Sequence, residues 1–275
     1  MTSNIALRFI SWNVKGTGNA TKLGRVMTHL NQLKGDVYFL QETHMLNRET
    51  TRLKKGWVGE VFHSTFNSKA RGAAILIRRG VPFTADRSIS DPQGRYMMVS
   101  GRLQGIPVMF VCVYGPNWDD NLFISRLFTS IPDLEGHYII MGGDFNLVQD
   151  SVLDRSSNKV TPLSKSAKTL STLSQQFGLT DPWRHSFPDS KTYSFFSHVH
   201  HSYSRIDFFL LDVRLLSKIV TTEYHSIAIS DHAPTSLDLA LITRPHTLRP
   251  WRFNSVLLAE ERYKQFLQSQ ITMFF

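Results

Sequence analysis

Short apolar runs of strand length, each closing on a polar cluster, are the feature that most narrows what this chain can become. PVMFVCVY leads into VYGPN (113–117), and HYIIMGG leads into GGDFN (142–146). SWNVKG (11–16), FLQETH (39–44) and ISDHAP (229–234) follow the same plan, and SRIDFFL (204–210) carries Asp207 inside an otherwise apolar run. Polar and acidic side chains at such places are costly in a core unless they are paired. Six of them in one chain imply strand ends that converge on a single site.

Runs rich in Val, Ile, Phe and Tyr, punctuated by Gly, Pro and Asp, predict strands over Ala6–Asn13, Asp36–Glu42, Trp57–His63, Gly72–Arg78, Arg95–Leu103 and Val108–Tyr114. The same signal predicts His137–Gly143, Thr192–Ser197, Ile206–Leu211, Val220–His225 and Thr235–Leu241. Helical spacing is rarer. Leu23, Val26, Met27, Leu30 and Leu33 share one helix face; Leu163, Ala167, Leu170, Leu173 and Phe177 share another, which Gly178 stops. A third helix is expected from Asp119 or Asp120 to before Pro132. Many strands with few helices predict an α+β fold of two packed, mainly antiparallel sheets flanked by helices.

The chain of 275 residues carries 31 basic and 22 acidic residues, a formal net charge of +9. That balance suits a polyanionic partner. The single cysteine, Cys112, excludes an internal disulfide and a Cys-rich zinc site. It is expected to be buried and inert, in a reducing, intracellular setting. No secretory signal is evident at the N-terminus, and the apolar runs are too short to span a bilayer. After residue 242 the character changes: ITRPHTLRPWRFN has two Pro and three Arg. A domain is therefore expected over 1–242. Thr243–Phe253 reads as a linker or strap, and Ser255–Gln270 as an amphipathic helix opening a truncated segment.

The polar inventory suits metal-assisted phosphodiester hydrolysis. A cation such as Mg²⁺ needs only one or two protein carboxylates beside water and phosphate oxygens, and Glu42 supplies one. Asp144 can position or deprotonate a water that Asn146 holds. His232, kept protonated by Asp207, can donate to a non-bridging phosphate oxygen.

The ordered set Asn13, Glu42, Tyr114, Asp144 with Asn146, Asp207, and Asp231 with His232 resembles the endonuclease/exonuclease/phosphatase superfamily. It is most similar to the apurinic-type endonucleases of long-interspersed-element (non-LTR) retrotransposons. WNVKG, LQETH, VYGPN, GGDFN, LDRS (153–156), LTDPWR (179–184), YSFFS…SRID (193–207) and SDHAP carry the likeness over about residues 6–241. LRPWRFN (248–254) resembles the segment ahead of the reverse transcriptase in such polyproteins.

The resemblance implies a four-layer, deoxyribonuclease-I-like sandwich that nicks one strand of double-stranded DNA. The cut leaves a 3′-hydroxyl that primes reverse transcription by a downstream domain of the same polyprotein. The implied agent is a monomer acting in the nucleus with Mg²⁺, or Mn²⁺ in its place, and with no membrane partner. Glu42, Asp231 and Asn13 would serve the metal. Tyr114 would donate to the phosphate, Asp144 and Asn146 would align water, and Asp207 would support His232. Apurinic-type repair enzymes commonly have an acid where this chain has Lys15. The metal site is then expected to lean on Glu42, with Lys15 free to meet a DNA phosphate.

Arg155 stands where the family often contacts DNA, and Asn117, Ser194 and Ser204 are further expected DNA or site hydrogen-bonders. The hairpin carrying His198 and His200 is where retroelement enzymes probe the minor groove, which implies a deformable, A/T-rich target. A metal on its three histidines lacks a fourth ligand. Eight basic residues between Arg48 and Arg79 read equally as a solvated face or a phosphate-tracking surface. Two alternatives remain open: a same-fold inositol-polyphosphate phosphatase or sphingomyelinase, and a silent nucleic-acid-binding module.

Overall fold

The computed structural model describes residues 4–132, 136–157, 161–243 and 260–274. The chain divides into two units, Ala6–Ile242, and Met1–Ile5 with Thr243–Phe275. In the second, the described helix is Glu261–Phe274, with Phe266 and Ile271 exposed. Beyond Thr243, the expected strap and the first turn of the expected helix lie outside the described residues.

The main unit begins with β1 (Asn4–Asn13), α1 (Ala20–Gln32), β2 (Val37–Gln41), β3 (Val58–Ser64) and β4 (Ala73–Arg78). It continues with β5 (Phe83–Ser90), β6 (Tyr96–Leu103), β7 (Ile106–Tyr114), α2 (Asn121–Thr129), β8 (Tyr138–Asp144) and α3 (Lys165–Gln176). The last part holds β9 (Leu179–Thr180), α4 (Pro182–Ser186), β10 (Phe195–Ser197), β11 (Ser202–Ser204), β12 (Asp207–Asp212), β13 (Ile219–Tyr224) and β14 (Thr235–Thr243). One six-stranded sheet runs β13-β14-β1-β2-β4-β3, the other β5-β6-β7-β8-β12-β9, and β10-β11 form a separate ribbon. β1–β2 and β7–β8 pair parallel; β2–β4, β3–β4, β5–β6, β6–β7 and β8–β12 pair antiparallel.

Alternation along the strands builds four layers. Phe9 and Phe39 of the first sheet meet Phe110 of the second at ring distances of 5.8 and 6.2 Å, and Phe39 also meets Phe209 at 5.8 Å. The opposite parity, Ile10, Trp12, Tyr38 and Leu40, packs outward against Leu23, Val26, Met27 and Leu30 of α1. Likewise Val111, Val113, Met141, Phe208 and Leu210 pack outward against α2 and α3. The helix ends follow their sequence signals. Asn19, Asp120 and Ser164 accept N-terminal backbone N–H groups. Gly178 follows α3 at φ +63°, a region that favours glycine.

Parity also explains why polar groups gather at one end. Continuing the inward phase past the aromatic seam leads from Phe9 to Asn13, from Phe39 to Gln41, and from Phe110 to Tyr114. The register then aligns Tyr114 with Asp144, and Asp144 with Asp207, across three adjacent strands. Cys112 lies in the same phase, fully buried, and burial pushes its thiol up to about 12, so it is inert.

Two expectations need correction. β5 was not expected: FTADRSIS is mostly exposed, because it is the edge strand of its sheet and has only one neighbour to pack on. The strand expected at Thr192–Ser197 is shorter, Phe195–Ser197, and the one expected at Ile206–Leu211 begins one residue later, at Asp207, because Arg205 and Ile206 stay outside the ladder where the Arg205 side chain turns into a buried ionic cluster.

Candidate active site

The two sheets contribute to one polar cluster. Asn13, at the end of β1, donates from Nδ2 to Glu42 Oε1 at 3.0 Å and to Asp144 Oδ2 at 2.8 Å. One amide therefore ties a carboxylate beyond β2 to a carboxylate at the end of β8. Asn146 donates its backbone N–H to Asp144 Oδ1 at 2.9 Å and its side-chain amide to the Gly115 carbonyl. Lys15, Glu42, His44 and Asn146 all have φ between 47° and 54°, a left-handed conformation that is strained for residues with side chains. That strain gathers where the strand ends must turn their side chains into the cluster.

His232 Nδ1 lies 2.8 Å from Asp207 Oδ2, and its Nε2 faces Asp144 Oδ2 at 3.8 Å. All three groups are buried. Burial alone would lower the imidazole pKa, but the charges of Asp207 and Asp144 overcome it and raise the pKa. Burial and the charge of Asp207 push Asp144 up, which makes it a stronger base than an ordinary carboxylate. Glu42 behaves oppositely. Burial opposes its charge, yet His44, Asn13 and Tyr114 hold its pKa down to about 2. Tyr114 is pushed up by burial and by Glu42, so its phenol keeps its proton.

A divalent cation fits this donor set. Glu42 is ionised and partly exposed, and each of its oxygens keeps lone pairs beside the contacts to Asn13 and to His44 Nε2 (3.1 Å). Asp144, Asp207 and His232 also place ligand atoms within 4.8 Å of one another, and Asp207 Oδ1 is buried with no hydrogen-bond partner among the described residues. In that group, however, Asp207 already occupies His232 Nδ1, so a metal there would compete with the pair. Two expected ligands are otherwise engaged. Asn13 turns its donor nitrogen to the cluster while its oxygen accepts from Lys15 N–H at 3.0 Å. Asp231 Oδ2 pairs with the Lys15 ammonium at 2.6 Å, and the Lys15 side chain remains more than half exposed.

The expected DNA contacts divide. Asn117, Asn146 and Arg155 line one small cavity of about 120 Å³, and Asn117 accepts from Tyr114 at 3.4 Å. Arg155 is half-buried and donates to Thr161. Ser204 bridges to Arg155 through the backbone. Of its two expected roles, DNA or site hydrogen-bonder, fully buried Ser194 has the second: its hydroxyl accepts the N–H groups of Ile206 and Asp207, both at 3.0 Å. His198 and His200 are exposed at the ribbon turn beside Val199, and among the described residues they join no metal-binding group.

LDRS, LTDPWR and SRID meet in a cluster that the sequence reading did not assign. Fully buried Arg205 pairs through Nε with Asp154 Oδ1 at 2.7 Å and through Nη1 with Asp181 Oδ2 at 2.5 Å. Arg184 adds a second cation to Asp154 at 2.8 Å. Arg205 Nη1 also reaches the Tyr224 hydroxyl at 3.3 Å, and that hydroxyl donates to the Asp207 carbonyl at 2.8 Å. The cluster thus pins the backbone of Asp207 from behind. His44 was missed as well; its signal is its place two residues after Glu42 in LQETH.

A four-layer sandwich with carboxylates, an amide bridge and an acid-supported histidine at one sheet end defines the class of phosphoester-hydrolase scaffold. The chain belongs to the Endonuclease/Exonuclease/phosphatase family, whose profile matches residues 10–232. It is 26% identical over 264 residues to the transposon TX1 uncharacterized 149 kDa protein of Xenopus laevis, covering 94% of this chain and 20% of that one. The chain thus spans about a fifth of that relative's length. Among solved structures, the AP endonuclease LMAP of Leishmania major superposes with a TM-score of 0.72 at 18% identity, covering 87% of this chain and 88% of the other. The APE2 catalytic domain of Xenopus laevis gives 0.70 at 18% identity, covering 85% and 92%. The fold is therefore the deoxyribonuclease-I-like sandwich expected from the motifs. No helix among the described residues is long and apolar enough to cross a membrane.

Proposed function

We propose that this chain is a divalent-metal-dependent endonuclease that nicks one strand of double-stranded DNA, within a retrotransposon polyprotein. The observation that carries the reading is the pairing of Asp207 with His232 opposite an Asn13 bridge that joins Glu42 to Asp144. A bound Mg²⁺ or Mn²⁺ at Glu42 would neutralise charge developing on the phosphoryl oxygens.

The protein's own groups divide the remaining work. Asp144 Oδ2 accepts the proton of the attacking water, and Asn146 orients that water. His232 keeps Nδ1–H on Asp207 and donates Nε2–H to a non-bridging oxygen. Tyr114 donates its phenolic O–H to another. Such preorganised donors supply most of the barrier reduction in many hydrolases. Cleavage of the bond to the 3′ oxygen leaves a 3′-hydroxyl and a 5′-phosphate. That hydroxyl is the primer a downstream reverse transcriptase would need, and we read the target as chromosomal DNA in the nucleus. We read the active form as a monomer, with the ribbon turn at His198 and His200 meeting a deformable, A/T-rich minor groove.

Conversion of supercoiled plasmid to open circle tests the proposal. Nicking with Mg²⁺ is expected, abolished by chelator and by His232→Ala. Nicking that survives either control would overturn the mechanism. No nicking, with release of phosphate from inositol polyphosphates, would move the substrate to the phosphatase alternative.

A further inference from the structure

A cleft of about 590 Å³ lies outside the cluster just described. Three arginines, Arg71, Arg95 and Arg126, and the indole of Trp118 line it. Trp118 also lines the small cavity that holds Asn117, Asn146 and Arg155, so it is the wall between that groove and the larger cleft.

The chemistry of the walls is unusual for a surface depression. Trp118 is 60% exposed, although a large aromatic ring ordinarily buries most of its area. Arg95 is buried; its guanidinium lies 4.8 Å from the Tyr114 ring and 5.5 Å from the Trp118 ring, and Nη1 donates to the Gly115 carbonyl at 2.9 Å. Arg71 stacks on Phe66 at 4.3 Å and donates to the Gln93 side chain at 2.9 Å. Among the described residues neither guanidinium has a carboxylate partner within salt-bridge reach; burial first, and then the charge of Arg71, disfavour the Arg95 cation, while Tyr114 and Glu42 favour it. Arg126 is different, since Asp120 neutralises it at 3.7 Å.

The cleft's other charged lining is Asp91, which accepts the Arg95 backbone N–H at 2.9 Å, and the Asp120–Arg126 pair. Two guanidiniums without a salt-bridged carboxylate still leave it suited to an anion, and planar, forked donors suit phosphate. An exposed indole beside them supplies a π-face. Basic groups with an aromatic platform are the pattern that holds single-stranded nucleic acid without reading sequence.

The geometry points to a subsite for one unpaired nucleotide, its base stacked on Trp118 and its phosphate set between Arg71 and Arg95. Because Arg95 touches the ring of Tyr114, the subsite adjoins the cluster that would cleave the strand. A substrate with a frayed or single-stranded stretch next to the cut fills both. This inference rests on the nucleic-acid reading of the site and goes beyond it by naming the structure of the preferred substrate, a duplex joined to a single strand.

The test measures binding in chelator, where no cleavage occurs. Probes are a blunt duplex, the same duplex with a short oligothymidine extension at either end, and free oligothymidine. For the wild type, an extension is expected to tighten binding about tenfold, the fold-change of one base stacked on an aromatic ring. Trp118→Ala is expected to erase that gain, read as the ratio of extended-duplex to blunt-duplex affinity. Arg71→Ala is expected to reduce the salt dependence of oligothymidine binding by about 0.7 in slope, one phosphate's worth on a single strand. An extension that adds nothing to the wild type, or that adds as much to Trp118→Ala, overturns the subsite. Failure to nick in the plasmid assay counts against the nuclease reading alone, since oligothymidine binding is read without cleavage.

Discussion

The His232 imidazole and the Asp207 carboxylate form a buried pair, Nδ1 to Oδ2 at 2.8 Å, that joins the loop before β14 to the first residue of β12. The pair links the two sheets, so its charge state bears on stability as well as on chemistry.

A histidine whose folded pKa is raised stabilises the fold through its proton. Here the value rises from the usual 6.5 to about 9. The stabilisation is then fully present below about pH 6.5 and is lost as pH rises through about 9. Thermal unfolding of wild type and His232→Gln from pH 6 to 10 should show a gap that closes on the alkaline side. A gap that widens with pH would reverse the assignment.

Lys15 holds Asp231 at 2.6 Å, and so a cation side chain takes a carboxylate that a metal would otherwise attract. Lys15→Asp removes that competitor and adds a carboxylate. Mg²⁺ binding by calorimetry is expected to tighten about tenfold, on the scale of 1.4 kcal/mol. Unchanged or weaker binding would show that Lys15 is irrelevant to metal affinity.

Asp154 is fully buried and accepts from Arg205, Arg184 and the N–H groups of Gln149 and Asp150. Asp154→Asn leaves the Arg205 charge with half its support. Urea unfolding should register a loss of about 3 kcal/mol, the usual cost of breaking a buried pair. Tyr224→Phe should be far milder, about 1 kcal/mol for a lost hydrogen bond. It should slow nicking all the same, since its hydroxyl holds the Asp207 carbonyl.

At Gly143 an added Cβ would lie 2.0 Å from the Val113 carbonyl oxygen. Both atoms belong to paired central strands, so neither can yield cheaply. Gly143→Ala is expected to destabilise by more than about 3 kcal/mol, beyond ordinary overpacking. Folded protein with unchanged melting would contradict the close approach.

The strand cores and helix faces were legible because period-2 and helical spacing, and signals such as Asp120 and Gly178, act locally. The cluster residues were legible because a polar group closing an apolar run conflicts with burial, and that conflict is visible without coordinates. Arg205 was not legible in the same way. Its partners Asp154 and Asp181 lie far from it in sequence, and nothing local distinguishes a clamped arginine from a solvated one. Trp118 stayed unread for the opposite reason: only the fold shows that an apolar ring in a polar loop remains exposed. The engagement of Asp231 by Lys15 likewise depends on a left-handed turn at Lys15 that composition does not announce.

β14 lies between β13 and β1 in its sheet, although it is the last strand among the described residues. A ribosome that has delivered Asn13, Glu42, Tyr114 and Asp144 has therefore supplied β2 on one side of β1 but not β14 on the other, nor His232 just ahead of it. A chain that stops before residue 232 lacks both the imidazole that pairs with Asp207 and the strand that joins β13 to β1. Under the function proposed above, the order of the strands withholds the complete site until translation has passed the end of the domain.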